Sequence, residues 1–366
     1  MNIEFYSIII ILISSRFLYN IVIRMYNKCD EIFNKNLNEQ TKIKKLKNYK
    51  VGTIIGRGSY GIVHILKFDG DDNEKLFALK IIDLTVPEYL NKFTNEKNIF
   101  KSLTKNTNKI KCAHKNINCY LYVEQIENCG FIITQYFDTD LANYLKKKGN
   151  FGQNIRKNKD IFLPIYINWI KQLADAIKFL HKKKIAHGDL KPDNILIRYS
   201  DNNISITDFD TICMGKSFKK DSDFCVVEGF SDFYASPDLI LSFGKKTNIK
   251  IIRESDIWAL AFIILVMWFG AEELIKIFYN ASGDFFFSKI FYESLDKKNF
   301  EILFSVIDNE INTIKLIYID SSIKESLMSE IQKIHYILSE SAIILSKIAF
   351  KENVNLDNYL DKIINL

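Results

Sequence analysis

One stretch constrains this chain more than any other. Residues 185–197 read Ile-Ala-His-Gly-Asp-Leu-Lys-Pro-Asp-Asn-Ile-Leu-Ile, and Ile204-Ser205-Ile206-Thr207 then leads into Asp208-Phe209-Asp210. Apolar, β-branched runs adjoin each polar turn, the pattern of short buried strands joined by loops. Those loops carry an aspartate, a lysine, an asparagine and a second aspartate.

The upstream pattern is also strand-like. Val51-Gly52-Thr53-Ile54-Ile55 enters Gly56-Arg57-Gly58-Ser59-Tyr60-Gly61, and Ile62-Val63-His64-Ile65-Leu66 leaves it. Glycines there let backbone approach phosphates. Dinucleotide-binding folds share the GxGxxG spacing but open a helix after the last glycine, whereas Ile62, Val63 and Ile65 favour a second strand. Phe77-Ala78-Leu79-Lys80-Ile81-Ile82 is a further strand. A helix is expected over Asn91–Leu103, with Glu96 placed to reach Lys80; Glu88 follows Pro87 and is expected to precede it. Gly130–Phe137 reads as a buried strand. Asp138-Thr139-Asp140-Leu141 then opens a helix, with Asp140 as its capping carboxylate. Residues 149–160 read as a polar loop. Ile165–Lys182 reads as an amphipathic helix carrying Ile167, Ile170, Leu173, Ala174, Ile177 and Leu180 on one face, with His181 structural.

Taken in order, these strings resemble the eukaryotic protein kinases, serine/threonine type, as a divergent member with HGD and DFD motifs. The resemblance covers roughly residues 49–270. It implies an α+β, bilobal fold: a small N-lobe (49–137) of β-sheet plus one helix, and a larger, mostly helical C-lobe (138–366). It implies ATP and Mg²⁺ as cofactors and serine or threonine hydroxyls of proteins as acceptors. Asp189 would be the catalytic base, with Lys191, Lys80 and Glu96 catalytic beside it. ATP would meet Gly56, Arg57, Gly58, Ser59, Tyr60, Gly61, Val63, Ala78, Lys80, Gln135, Phe137, Asp140 and Leu196, with Thr134 as gatekeeper. Asn194 and Asp208 would hold the metal, and His187 would support the Asp208-Phe209 turn. Asp256, in Ser255-Asp256-Ile257-Trp258, would anchor the catalytic loop backbone. The lysine of Asp-Leu-Lys-Pro and Ser231 favour serine/threonine over tyrosine.

Three positions depart from the family. Gly188 replaces the arginine that docks a phosphorylated activation segment, so activity independent of that phosphorylation is expected. Asp210 replaces the glycine of DFG, which should hinder a Phe209 flip and extends the metal reading to Mn²⁺. Asp238 replaces a glutamate that pairs with a late arginine, and residues 350–356 contain no arginine, so both halves of that pair read as altered. These departures support an alternative, a nucleotide-binding pseudokinase acting as scaffold.

Composition excludes disorder: 48% of residues are hydrophobic and 26% charged. Net charge is +6 with lysines dispersed, so no nucleic-acid partner is expected. The six cysteines form no CxxC pair and read as reduced thiols of an intracellular protein, with a zinc site at Cys112, His114, Cys119 and Cys129 as the alternative. Residues 1–24 are apolar but interrupted by Arg16; membrane anchor, interfacial helix and capping helix all remain open, an anchor leaving the domain on the cytosolic side. Residues 25–48 read as a basic linker. The apolar run Ile257–Phe269 is about 13 residues, too short to span a bilayer, and reads as a buried central helix.

Overall fold

A computed structural model describes residues 28–29, 31–33, 49–58, 60–68, 75–103, 112–215, 223–227, 229–278, 295–317 and 324–366. Residues 1–24, most of 25–48 and Ser59 lie outside them. The chain divides into two compact units, one of residues 1–113 and 118–136, the other of 114–117 and 137–366.

The first unit is built on an antiparallel sheet of order β1-β2-β3-β5-β4. Its strands are β1 (Tyr49–Arg57), β2 (Ile62–Phe68), β3 (Lys75–Asp83), β4 (Tyr120–Ile126) and β5 (Cys129–Gln135). Leu79 and Ile81 on β3 are fully buried, and alternation turns Lys80 to the opposite face. Helix α1 (Pro87–Leu103) buries Phe93, Glu96, Ile99 and Leu103, a stripe of three- and four-residue spacing. It begins four residues before the expected Asn91, because Pro87 is pre-set for the first helical turn and Glu88 pairs with Lys92 one turn on. Gly130 lets the helix close on the sheet: a Cβ there would meet the Phe93 ring at 2.8 Å.

The second unit carries small sheets and many helices. β6 (Thr139–Asp140), β8 (Ile195–Arg198) and β9 (Asn203–Ile206) form one sheet; β7 (Ile185–Ala186) pairs with β10 (Cys213–Met214), and β11 (Phe224–Val226) with β12 (Lys246–Asn248). The helices are α2 (Leu141–Lys148), α3 (Phe151–Lys157), α4 (Lys159–Lys182), α5 (Pro237–Ile240), α6 (Ile249–Phe269), α7 (Ala271–Phe278), α8 (Lys297–Ile317), α9 (Lys324–Ala349) and α10 (Leu356–Ile364). Helix α3 occupies what reads in the sequence as loop. Asn150 caps it by accepting the Gln153 N–H, and Phe151 and Ile155, one turn apart, are buried. Helix α4 starts earlier than Ile165, at Lys159, capped by Asn158 and tolerating Pro164 near its start. Helix α6 is buried along almost its whole length after Ser255. No single helix among the described residues is long and apolar enough to cross a membrane.

Residues 114–117 group with the second unit, where the Asn116 side-chain nitrogen finds its acceptors. The Asn116 carboxamide donates to Gln172 at 2.6 Å, to Asn203 at 3.0 Å and to the Ile204 carbonyl at 2.8 Å.

The cysteines correct the sequence reading most sharply. All six are paired, Cys29 with Cys129, Cys112 with Cys119 and Cys213 with Cys225, and none is free. Reduced thiols are thereby overturned, and so is zinc at Cys112, His114, Cys119 and Cys129. His114 instead bonds Asp175 at 3.1 Å, and no metal-binding group of three such side chains exists among the described residues. Disulfides persist in oxidising compartments, so the cysteines no longer argue for a reducing one.

Candidate functional site

Each unit holds one cluster of the residues singled out by sequence. In the first, Lys80 and Glu96 form an ion pair at 2.8 Å, with Glu96 2% exposed. A carboxylate buried that deeply needs its lone pairs filled. Tyr120 donates to its other oxygen at 2.5 Å, and the Tyr60 hydroxyl donates to Oε1 while accepting from the Lys80 ammonium. The Lys80 ammonium also lies 3.8 Å from the Tyr60 ring centroid. Sequence spacing locates Lys80 and Glu96 but misses both tyrosines. Tyr60 was singled out as a loop residue; its side chain is almost fully buried against the pair.

The glycine turn closes through the Gly58 N–H, which donates to the Gly61 carbonyl at 2.9 Å. Gly56 and Arg57 end β1, and Val63 lies opposite Lys80 in the β2–β3 register. At Gly61 a Cβ would come within 3.0 Å of the Ile81 carbonyl, so close packing on β3 alone demands glycine there. Ala78 pairs with Thr134 across β3 and β5. The Gln135 N–H is taken by the Cys119 carbonyl at 3.3 Å.

The second cluster surrounds Asp189. Lys191 donates to Asp189 Oδ2 at 2.6 Å and to Ser231 Oγ at 2.8 Å. Burial opposes its charge, but Asp189, with Asp208 and Asp193, outweighs it and raises Lys191 above the usual lysine range. Asn194 donates its amide to the Asp189 carbonyl at 2.9 Å, a bond that does not use its carboxamide oxygen. Asp189 Oδ1 is buried and accepts no hydrogen bond from any described residue. Asp208 sits at φ +63°, a left-handed state that a non-glycine residue holds only under constraint from its surroundings. His187 bonds the Thr207 carbonyl through Nε2 at 3.0 Å, and its ring lies 5.1 Å from that of the fully buried Phe209. Asp140 caps α2, accepting from the Asn143 N–H at 2.7 Å and its amide at 2.6 Å. Phe137 packs its ring 5.2 Å from the Arg198 guanidinium, and Leu196 pairs with Asp140 and Ser205.

Asp256 holds this loop from below. Its carboxylate accepts the His187 N–H at 2.8 Å, the Gly188 N–H at 2.9 Å and His181 Nε2 at 2.9 Å. Gly188 lies at φ +84°, and a Cβ would meet the Thr211 carbonyl at 3.0 Å, so its glycine fits a backbone that any side chain strains. Asp210 is not among the positive-φ residues, so aspartate is accommodated there without strain. Asp238 is met by Lys351 at 3.0 Å, so both halves of the pair are altered, as the sequence reads, and an ion pair is still made. A shorter acid and a lysine replace the expected glutamate and arginine, a change hidden by searching for arginine alone.

Comparison with known proteins agrees with these strings. A family model described as the protein kinase domain matches residues 49–284. The chain is 27% identical over 244 residues to a serine/threonine-protein kinase, mph1, of Schizosaccharomyces pombe, covering 62% of this chain and 32% of that one. It is 28% identical over 270 residues to the probable serine/threonine-protein kinase mps1 of Dictyostelium discoideum, covering 72% and 24%. An Aurora kinase of Eremothecium gossypii is 26% identical over 229 residues, covering 62% and 54%. The aligned part thus spans about a quarter to a half of these relatives.

Proposed function

The chain belongs to the protein kinase domain family, and on that footing we propose that it transfers the γ-phosphoryl group of ATP to serine or threonine hydroxyls of proteins. The observation that carries the proposal is the asymmetry of Asp189. One carboxylate oxygen is held by Lys191, and the other is buried without a partner among the described residues. An acceptor with one oxygen fixed and the other unpartnered keeps a lone pair for the hydrogen of an incoming hydroxyl.

The donor set fits Mg²⁺: the Asn194 oxygen and the Asp208 carboxylate are hard ligands, and phosphates and water complete such shells. Bound Mg²⁺–ATP supplies the phosphoryl group, its charge partly neutralised by the metal. Asp189 then orients the hydroxyl and accepts its hydrogen. Lys191 keeps its charge and faces the negative charge that develops on the transferred group. Lys80, held by Glu96, binds phosphate oxygens once it leaves the Tyr60 hydroxyl. Ser231, bonded to Lys191, sets the acceptor side.

The scaffold alternative drew on Gly188, Asp210 and Asp238. Gly188 fits its backbone and Asp238 has Lys351, so neither signals a degraded site. We place the kinase domain over residues 49–366; deletion of the apolar residues 1–24 and fractionation decides between membrane association and packing on the domain. The assay for the reaction is incubation with radiolabelled ATP, Mg²⁺ or Mn²⁺, and casein or myelin basic protein. Acid hydrolysis should yield phosphoserine or phosphothreonine; label confined to tyrosine, or none above a no-enzyme control, contradicts the proposal.

A further inference from the structure

We propose that the Cys213–Cys225 disulfide is the activating covalent modification of this kinase, ordering the activation segment in place of phosphorylation. This rests on the kinase reading above.

The segment following Asp208-Phe209-Asp210 is anchored at both ends. At its start the Thr211 hydroxyl donates to the His187 carbonyl at 3.0 Å, and Cys213 and Met214 pair with Ala186 and Ile185. The Gly215 N–H adds a bond to the Lys184 carbonyl at 2.9 Å. This first anchor therefore lies directly before the catalytic loop. At the far end Phe224, Cys225 and Val226 pair with Asn248, Thr247 and Lys246, and the Ile249 N–H bonds the Asp223 carbonyl at 3.0 Å. This second anchor opens α6, the helix whose Asp256 holds the catalytic loop backbone.

The strand pairings at the two anchors are just two and three residues long, and the flanking hydrogen bonds each lie within one anchor, so none of these bonds joins one anchor to the other. The disulfide joins β10 to β11 and so ties both anchors together. The approach is close: a Cβ on Gly215 would meet the Asp223 carboxylate at 2.9 Å and Ile249 at 3.0 Å. Cys213 is fully buried in a cluster with Ala186, Val227, Ala235, Leu239, Ile249 and Ile252, and Cys225 is half-buried against it. Phe230 packs on that cluster and the Ala235 N–H donates to the carbonyl of Ser231, the partner of Lys191, at 3.1 Å, so loss of the bond reaches the acceptor side of the site.

Position 188 explains why a covalent tie is needed. Glycine there has no side chain to hold a phosphate, and its left-handed backbone would be strained by an arginine that could do so. A bond between two thiols requires no such partner. Its formation is balanced by a low-molecular-weight disulfide such as glutathione disulfide. The two cysteine thiols lose two electrons and two protons as their sulfurs join, and the oxidant becomes two thiols. The active chain therefore belongs in an oxidising compartment, and its substrates are proteins found there.

The test uses the full chain, equilibrated in glutathione buffers from oxidising to reducing and then assayed for phosphate transfer to casein. Peptide mapping reports occupancy of each disulfide, and protection by Mg²⁺–ATP against thermal unfolding reports nucleotide binding. Activity should follow occupancy of Cys213–Cys225. Reduction should lower kcat/KM about tenfold or more, the effect of a competent segment populated a tenth of the time, while nucleotide binding persists. A Cys213→Ala/Cys225→Ala variant should be as slow as the reduced chain and insensitive to redox. A Cys29→Ala/Cys129→Ala variant should respond as wild type, and phosphatase treatment should change nothing. Reduction of folded wild type stands in if the first variant misfolds. Equal activity of oxidised and reduced wild type, or full activity of the Cys213/Cys225 variant, overturns the inference and leaves the kinase reading standing. No activity in any redox state overturns both.

Discussion

Removing the Asp256 carboxylate tests how the catalytic loop is held. In Asp256→Ala the His187 and Gly188 N–H groups and His181 Nε2 all lose their acceptor, inside a pocket where Asp256 is 1% exposed. Each unpaired buried donor costs about 1–3 kcal/mol, so the loss is about 3–9 kcal/mol. Whole domains are stable by only about 5–15 kcal/mol. At about 2–4 °C per kcal/mol, even the low end lowers Tm by about 6–12 °C. Asp256→Asn keeps one acceptor oxygen but turns an amide toward a donor, and should fall between wild type and alanine. His181→Ala leaves both loop N–H bonds in place and should cost less than Asp256→Ala. The measurement is calorimetric or fluorescence-detected unfolding of the three variants, alongside kcat. The loop that carries Asp189 loosens with its anchor, so kcat should fall even where the protein remains folded. A Tm within about 2 °C of wild type for Asp256→Ala would refute the argument that these three bonds are what the buried carboxylate is for.

Tyr60→Phe removes the hydroxyl that occupies the Lys80 ammonium; at about 1 kcal/mol for one net hydrogen bond, KM for ATP should fall about fivefold, and an unchanged or higher KM contradicts this. Lys351→Ala breaks an ion pair whose lysine is 71% exposed, so it should cost less than about 1 kcal/mol, and a large fall in Tm would show that the Asp238 pair carries more than its exposure allows. Lys191 has a raised folded pKa, so its contribution is fully present below the ordinary lysine value of about 10.4 and is lost only as pH rises through the higher folded value. The difference in Tm between wild type and Lys191→Met should therefore hold steady from pH 7 to about 10 and shrink only above that; a difference already gone near pH 9 contradicts the shift.

What the sequence made legible was local. The strand–glycine turn–strand pattern, the β3 lysine and the string around Asp189 each fit within a dozen residues, and periodicity places them on the right kind of element. Pairings across long separations were not legible. Six cysteines allow fifteen pairings, and Cys29 and Cys129 lie 100 residues apart. Lys351 lies far from Asp238, and nothing near either residue reports the other. Tyr60 was read through its loop backbone, but which way an aromatic side chain turns depends on the sheet beneath it. Helix α3 was hidden by polar composition; its Asn150 cap and the Phe151–Ile155 spacing were the signals that could have found it.

The central claim is that Asp189 serves as a base through the oxygen that no described residue occupies. The direct measurement is kcat for phosphate transfer to casein by oxidised wild type and Asp189→Asn, with Mg²⁺–ATP binding followed in parallel. An asparagine keeps the shape, still accepts from Lys191 and cannot take the hydroxyl's proton. The account predicts intact nucleotide binding and a kcat lower by about 10²–10⁴. Equal transfer by the two proteins would contradict it.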